Sequence, residues 1–230
     1  MCWAYRRRGV VLDVNGDIVE WLYHAPHEFQ HEEPMPDLTL PAADVVRLKT
    51  PLADADIRKL KVGDVVLLDG IVHTGRDAVH KYLHDGGELE VIRNGVIYHC
   101  GPVVLKNDGE FRVVAAGPTT SIREEPYQAD IIQRFGIKAV IGKGGMGAST
   151  QKACQDYGCV YLHGIGGAAQ IYAQCVQRVI SVRLEQFGSP EAVWELEVKN
   201  FPAVVTIDSH GNNLQQVITD RSRELLAAVL

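Results

Sequence analysis

One arrangement constrains the fold of this chain most: an apolar strand, a turn of small or polar residues and a helix follow one another three times. In the first unit the apolar run of residues 113–116 ends at Gly117, and its helix is closed by Gly136. The second unit covers residues 137–157, with a helix predicted from about Ala148 to Tyr157. The third unit covers residues 159–187, with a long helix predicted from about Ala168 to Phe187. Strands that alternate with helices are typical of parallel sheets with right-handed crossovers. The sequence therefore predicts an α/β fold whose three turns share the carboxyl edge of one sheet, where such sheets bind ligands.

The first of these turns combines hydroxyl groups with a positive charge. The three hydroxyl residues 119–121 are followed by Arg123. Two helix starts remain open here, because Ser121 and Glu124 fit a capping box while Pro126 suits the first helical turn. Capping accounts for Ser121 alone. The two threonine hydroxyls are therefore free to anchor a carboxylate or relay a proton.

The second turn, Gly142–Gly147, is rich in glycine and contains Lys143. It matches G-x-G-x-x-G, but the next strand ends on His163 instead of the acidic residue that binds the ribose of a dinucleotide. No G-K-[ST] follows at the required spacing, which excludes a P-loop. The remaining interpretation is an anion site made by backbone amides at a helix N-terminus, with Lys143 beside it.

Arg76 lies on a further strand-to-helix turn, after a predicted strand at 65–68 and the apolar pair Ile71-Val72, and before a predicted helix at 78–83. Together with Arg123 and Lys143 it places three cations on turns of one predicted edge, in a chain of net charge −6. Each carboxylate of a dianion accepts a bidentate arginine or a charge-assisted hydrogen bond, so this cluster suits such a ligand. Scattered surface cations would explain the spacing equally well.

The rest of the chain adds strands, which predicts a mixed sheet. Residues 9–22 predict a hairpin with a type I′ turn at Asn15-Gly16, and residues 88–115 are rich in strand signals. Residues 192–208 predict two further strands, and residues 219–230 an amphipathic helix.

The beginning of the chain differs from the remainder. Residues 1–46 predict an N-terminal extension, a hairpin plus a linker rich in histidine and proline, and residues 47–230 the main domain. His24, His27 and His31 in the linker are candidate metal ligands, but their spacing matches no known motif, and a solvated loop is the favoured interpretation.

Composition excludes several classes of function. A net charge of −6 argues against nucleic acid and anionic membranes as main partners. No apolar run approaches the roughly 20 residues of a membrane span, and the first residues lack the apolar stretch of a secretory signal, which predicts a cytoplasmic location. The five cysteines are scattered without a C-x-x-C pair, so neither a disulfide framework nor a metal site built from cysteine alone is expected.

A set of segments, taken in order from about residue 47 to 215, resembles the β subunit, or equivalently the C-terminal domain, of class I fumarases and tartrate dehydratases. The segments are Leu60–Val66, Asp69–His80, Tyr98–Pro102, Ala115–Arg123, Gly142–Met146, Tyr161–Ala169, Glu191–Val198 and Gly211–Asn213. The Gly-Pro-Thr-Thr-Ser and Gly-Lys-Gly-Gly-Met blocks are the most specific of them.

The resemblance implies a swivelling β/β/α domain with a mixed sheet. It also implies a hydro-lyase that hydrates a small unsaturated dicarboxylate, with fumarate to malate ahead of tartrate or mesaconate. The [4Fe–4S] cluster of such an enzyme is expected on a partner α subunit and not on this chain, which would be active only with that subunit in an α2β2 assembly. A non-catalytic homologue that binds a dicarboxylate or a protein partner remains the alternative.

The resemblance also assigns roles to residues. The substrate-facing groups of the family fall by motif on Arg76, Thr119, Arg123 and Lys143, and Thr120 and Gly144 belong to the same two blocks. It implies proton transfer by Thr119 and substrate binding by the other five. Glu124, directly after Arg123, stands where an apolar residue is expected in relatives.

Overall fold

A computed structural model of the chain describes residues 10–21, 45–107 and 109–227. Residues 10–21 belong to one compact unit and the other two ranges to a second. The histidines at positions 24, 27 and 31 lie outside the described residues.

The compact unit that contains residues 10–21 includes the predicted hairpin, in which β1 (Val10–Leu12) pairs antiparallel with β2 (Ile18–Trp21). The predicted type I′ turn is wrong, because the connection has five residues. The carboxylate of Asp13 accepts the backbone N–H groups of Asn15 and Asp17 at 2.8 and 3.0 Å, which holds the longer loop.

The larger compact unit, described over residues 45–107 and 109–227, combines two sheets with six α-helices. Its strands are β3 (Val45–Lys49), β4 (Val65–Thr74), β5 (Val96–Tyr98), β6 (Val103–Asn107), β7 (Glu110–Ala115), β8 (Ala139–Gly142), β9 (Val160–His163), β10 (Val176–Arg183) and β11 (Val193–Ile207). Its helices are α1 (Asp54–Ile57), α2 (Asp77–His84), α3 (Glu125–Phe135), α4 (Ala148–Tyr157), α5 (Ala169–Cys175) and α6 (Leu214–Ala227). The fold is therefore α/β, as predicted.

The main sheet is mixed, which confirms the prediction. Strands β3, β4, β5, β8 and β9 run parallel, and β11 is antiparallel to β9, β4 and β10. Val204 of β11 faces Val65 of β4 and also His163 of β9. Because β11 pairs with both ends of the β4–β5–β8–β9 run, these five strands form a closed circuit of pairings. A strand of 15 residues, roughly 50 Å long, has the reach for both partners.

The central parallel strands β5, β8 and β9 are buried on both faces, and successive side chains enter two different cores. Val96 and Tyr98 of β5 belong to one core, while Ile97 between them belongs to the other. The first core contains the aromatic contacts of Tyr98 with Phe201, and the second contains Ile131 of α3. Burial on both faces explains why the central strands are continuously apolar.

The long helix predicted for the third unit is wrong. Helix α5 ends at Cys175, and residues 176–183 form β10, which pairs antiparallel with β11. Val176, Val179 and Val182 are β-branched and half-buried against the first core. Their packing on a pleated surface overrides the helical spacing that the sequence suggests.

The strand of the first unit also lies elsewhere than predicted. Residues 113–115 are part of β7, which pairs with β6 in a separate two-stranded sheet. Only the second and third units place their strands, β8 and β9, in the main sheet. Helix α3 nevertheless ends as predicted at Gly136, whose φ of 65° is the left-handed conformation that glycine adopts without strain.

Candidate functional site

The turn of the first unit reaches the edge of the main sheet by backbone hydrogen bonds. Thr119 N–H donates to His99 C=O at the end of β5 at 2.7 Å. Lys143 N–H donates to Thr119 C=O at 3.2 Å, and Ser121 N–H donates to Lys143 C=O at 3.0 Å. The segment is thus inserted between the carboxyl ends of β5 and β8. This insertion places the hydroxyl turn at the edge although its own strand is in another sheet.

Thr119 and Arg123 are in direct contact within this turn. Residues 121–124 form a 3₁₀ turn, and Arg123 Nη2–H donates to Thr119 Oγ1 at 3.2 Å. Arg123 is exposed and Thr119 half-buried. A guanidinium therefore faces the hydroxyl that the resemblance marks for proton transfer.

Lys143 and Gly144 lie beside the hydroxyl turn. Thr120 forms an isolated parallel bridge with Lys143, and the Cδ of Lys143 would lie 3.3 Å from a Cβ placed on Gly166. The lysine stem therefore passes close to the third turn, with little room for a larger residue at that position. Gly144 has a φ of +82° and adjoins Thr120. Five of the six predicted residues are thus brought together at one place on the edge: Thr119, Thr120, Arg123, Lys143 and Gly144.

Arg76 lies on the neighbouring strand end and already has an ionic partner. It is the N-cap of α2, and the preceding Gly75 N–H donates to Tyr98 C=O of β5 at 2.9 Å. Arg76 Nη1 lies 3.1 Å from Glu191 Oε1, and Glu191 Oε2 also accepts Ala78 N–H at 3.1 Å. The same guanidinium approaches Gly101, where a Cβ would lie 2.9 Å from Arg76 Nη1. A ligand carboxylate at Arg76 would therefore compete with Glu191.

The predicted anion site at the N-terminus of α4 is wrong, because a protein carboxylate fills it. Glu125 accepts the N–H groups of Gly147, Ser149 and Thr150 at 2.7, 3.0 and 3.2 Å, and the Thr150 hydroxyl at 2.7 Å. A carboxylate at a helix N-terminus satisfies the first free amides and the helix dipole. The glycine-rich turn therefore offers Lys143 and its own bend to a ligand, but not that helix terminus.

Of the two helix starts left open, the structure has the one with Pro126 in the first turn of α3. Ser121 does not cap the helix. Its hydroxyl is instead part of a buried row of hydrogen bonds behind the turn, which also contains His80, Gln128, His99 and Tyr161. No sequence pattern predicted this row. Four of its members lie in segments of the family resemblance, but they are far apart along the chain and nothing in their spacing shows that they meet.

Glu124 is fully buried, and neither of its carboxylate oxygens has a hydrogen-bond partner among the described residues. Burial raises the pKa of this carboxyl to about 7, and the negative charge of Asp77 adds to the effect while Arg123 opposes it. An acid that changes charge near pH 7 thus lies next to one of the candidate cations.

The cysteines offer neither a nucleophile nor a metal site in the described part of the chain. Cys100, Cys154 and Cys159 are buried, and burial raises the pKa of the Cys100 thiol to about 12. Over residues 10–21, 45–107 and 109–227, no three His, Cys, Asp or Glu side chains converge as ligands of a metal ion. An iron–sulfur cluster, which needs several thiolates, therefore does not fit these residues. Across the same ranges no helix has the length and apolar character to cross a membrane.

Known proteins resemble this chain over most of its length. Residues 16–218 match the family described as "Fumarase C-terminus". A Geobacillus stearothermophilus protein named "Putative fumarate hydratase class I" is 52% identical over 233 residues, which cover 98% of this chain and 45% of that protein. The chain thus spans about half the length of that relative.

Two further relatives are of similar length to this chain. "Putative L(+)-tartrate dehydratase subunit beta" of Methanocaldococcus jannaschii is 41% identical over 76% of this chain and 93% of its own length. "L(+)-tartrate dehydratase subunit beta" of Escherichia coli K12 is 39% identical over 73% of this chain and 85% of its own length.

Proposed function

The chain belongs to the family of the fumarase C-terminus, and from this premise we propose that it is the β part of an iron–sulfur-dependent hydro-lyase. Its reaction adds water across the double bond of a small unsaturated dicarboxylate, and fumarate to malate is the first choice. The observation that carries the proposal is the convergence of Thr119, Arg123 and Lys143 at one edge of the sheet, with Arg76 on the neighbouring strand end.

The cations have two tasks in this proposal. Arg76, Arg123 and Lys143 bind the two carboxylates, and Thr120 and Gly144 line the same place. When a C–H bond next to a carboxylate forms or breaks, negative charge develops on that carboxylate as in an enolate. Fixed cations stabilise this charge without reorganisation at the moment of reaction.

Thr119 moves the proton in the proposed reaction. Its Oγ1 accepts a hydrogen bond from Arg123 at 3.2 Å, and its backbone is held on both sides, by His99 and by Lys143. The hydroxyl is therefore fixed in direction and faces a positive charge. This geometry favours a group that gives and takes a proton at one defined atom.

The rest of the proposal concerns the cluster, the assembly and the domain organisation. The [4Fe–4S] cluster is held by a partner α subunit, in an α2β2 assembly located in the cytoplasm. Residues 47–230 form the swivelling β/β/α domain that presents the edge described above, and residues 1–46 are an extension of it.

Tartrate is the main alternative to fumarate as the substrate, and this chain would then be a tartrate dehydratase subunit. Identity favours fumarate, since the fumarate hydratase relative is 52% identical. Length favours tartrate, since the named tartrate dehydratase subunits are covered to 93% and 85% by this chain, against 45% for the fumarate hydratase. Both substrates must therefore be assayed with the same preparation.

The test is an oxygen-free purification of the tagged chain from its own host, followed by assays of fumarate hydration, tartrate dehydration and bound iron. We expect a partner that is rich in iron and a complex that is active on one of the substrates. Arg76→Ala and Lys143→Ala are expected to lower kcat/KM of this complex by at least about 100-fold, because each removes a charge-assisted contact to the developing charge. The exposed Lys152 supplies the matched control, Lys152→Ala, which should leave the rate unchanged. Full activity of the Arg76 and Lys143 variants, or a chain that elutes alone and inactive, would refute the proposal.

A further inference from the structure

The buried row of hydrogen bonds joins three of the turns that carry the candidate groups. His80 Nδ1 lies 2.8 Å from the carbonyl oxygen of Arg76, and His80 Nε2 lies 3.0 Å from the side-chain amide of Gln128. The same amide lies 2.9 Å from His99 Nε2, and His99 Nδ1 lies 2.9 Å from Ser121 Oγ. The row thus runs without interruption from the backbone of Arg76 to the turn that contains Thr119.

The far end of the row also reaches the turn of Lys143. The Tyr161 hydroxyl donates to Ser121 Oγ at 2.8 Å, and Ser121 N–H donates to Lys143 C=O. Strand β8 approaches the serine so closely that a Cβ on Gly142 would lie 1.8 Å from Ser121 Oγ and 3.2 Å from His99 Nδ1. Only glycine leaves room for the row at this position.

The positions of the protons in the row follow from donors and acceptors. The Arg76 carbonyl has no proton to give, so His80 Nδ1 must donate to it. Both histidines are fully buried, and burial lowers the pKa of His80 and holds the pKa of His99 well below its usual range. A neutral His80 that donates at Nδ1 accepts at Nε2. The structure has Gln128 Oε1 between the two rings, but this pattern of donors and acceptors assigns the amide nitrogen to that position, where its NH2 group gives one hydrogen to each ring.

The opposite orientation of the amide fails, because it requires His80 to donate from both ring nitrogens, which makes it a buried cation. With the nitrogen between the rings, His99 likewise accepts at Nε2 and donates from Nδ1 to Ser121 Oγ.

We propose that Gln128, His80 and His99 are positioning residues, an uncharged hydrogen-bonded row that fixes the turns of Arg76, Thr119 and Lys143 relative to one another. The inference rests on the proposed function only in that these turns carry the substrate-binding groups. Row members do not touch the substrate. Their effect is to hold the backbone of Arg76 at one end and Ser121, two residues from Thr119, at the other.

The first test needs no variant. In the full chain with ¹⁵N-labelled histidine, long-range ¹H–¹⁵N correlation spectra distinguish the two ring tautomers and the cation. We expect His80 and His99 both to carry the proton on Nδ1 and to stay neutral from pH 8 to pH 6. An Nε2–H tautomer or a protonated ring at either residue in that range would overturn the inference.

The second test replaces Gln128, the proposed donor between the two rings, by a group that can only accept. Gln128→Glu offers only acceptors between the rings, so both histidines are expected to become donors at Nε2, with His80 cationic. Amide hydrogen exchange at Thr119 and Ser121 should then accelerate at least tenfold relative to Gln133→Glu, a control on the exposed face of the same helix. Unchanged tautomers, or exchange equal to the control, would contradict the positioning role.

These readouts require no turnover, so they are independent of the hydro-lyase proposal. In the active complex, Gln128→Glu is expected to lower kcat/KM at least tenfold, and a value equal to that of Gln133→Glu would also overturn the positioning role. If the wild-type complex hydrates no dicarboxylate, the proposed function fails, and the tautomers and exchange rates still decide the role of the row.

Discussion

Replacement of Glu124 should stabilise the protein, by an amount that grows as the pH rises from 4.5 to about 7 and is constant above it. The carboxyl is fully buried without a hydrogen-bond partner among the described residues, and its pKa rises from 4.5 to about 7 on folding. A raised pKa means that the folded state holds the proton more tightly than the unfolded state. The stability cost is therefore nearly absent at pH 4.5, grows as the pH rises towards 7 and is complete above it.

The size of the effect follows from the same two values. A pKa that rises from 4.5 to about 7 corresponds to about 3 kcal/mol at pH 8.5. We expect about 2 kcal/mol, because Asp77, whose charge adds to the rise, is exposed and screened by water. Glu124→Gln and Glu124→Met remove the charge. For a chain of this size, about 2 kcal/mol raises the melting temperature by about 4 to 8 °C.

The assay is thermal unfolding of wild type and variants at pH 8.5 and pH 4.5. The gain in melting temperature should be present at pH 8.5 and nearly vanish at pH 4.5, and the exposed Glu185, as Glu185→Gln, should give no gain at either pH. An equal gain at both pH values would show that the effect is not ionisation. No gain at pH 8.5 would refute the idea of a buried unpaired carboxyl.

Two further substitutions test the local architecture of the edge. Gly142→Ala should destabilise the chain by about 2 to 4 kcal/mol in urea unfolding, because the new Cβ would lie 1.8 Å from Ser121 Oγ. Adding Ser121→Ala to this variant should restore part of the lost stability. If the losses of the two single variants simply add in the double variant, the proposed clash is contradicted. Glu125→Ala should lower the free energy of unfolding by about 2 kcal/mol, because it removes the carboxylate that caps α4. Gln133→Ala, on the same helix as Glu125, should be nearly neutral, because Gln133 is exposed. Equal urea midpoints for these two variants would contradict the capping role.

Local signals predicted the elements that depend on neighbouring residues. Helix α4 has the predicted bounds, and α3 ends at the predicted Gly136, because glycine in the left-handed conformation stops a helix wherever it occurs. The helix predicted through residues 176–183 failed for the opposite reason. Those residues form a strand because they pair with the next strand, β11, and this tertiary pairing overrides the local helical spacing.

The candidate site shows the same division. Turn chemistry and the family blocks selected Thr119, Thr120, Arg123, Lys143 and Gly144, which lie together in the structure. They did not reveal that Glu125 caps α4 or that Glu191 pairs with Arg76, because each pairing joins segments that are far apart in sequence. The partner of a charged side chain cannot be predicted from its position in the sequence. Whether a helix terminus is free for a ligand therefore depends on the fold.

The two arginines at the edge of the sheet therefore differ in exposure and in existing ion pairs before a ligand binds. Arg123 is exposed and donates to Thr119, whereas Arg76 is three-quarters covered and paired with Glu191 at 3.1 Å. A dicarboxylate that binds both gains a new ion pair at Arg123, but at Arg76 it exchanges one carboxylate for another. The exchange contributes little net affinity, since the ion pair lost is similar to the one gained. Arg76 therefore adds more to the orientation of the ligand than to the strength of its binding, and Arg123 and Lys143 supply most of the attraction.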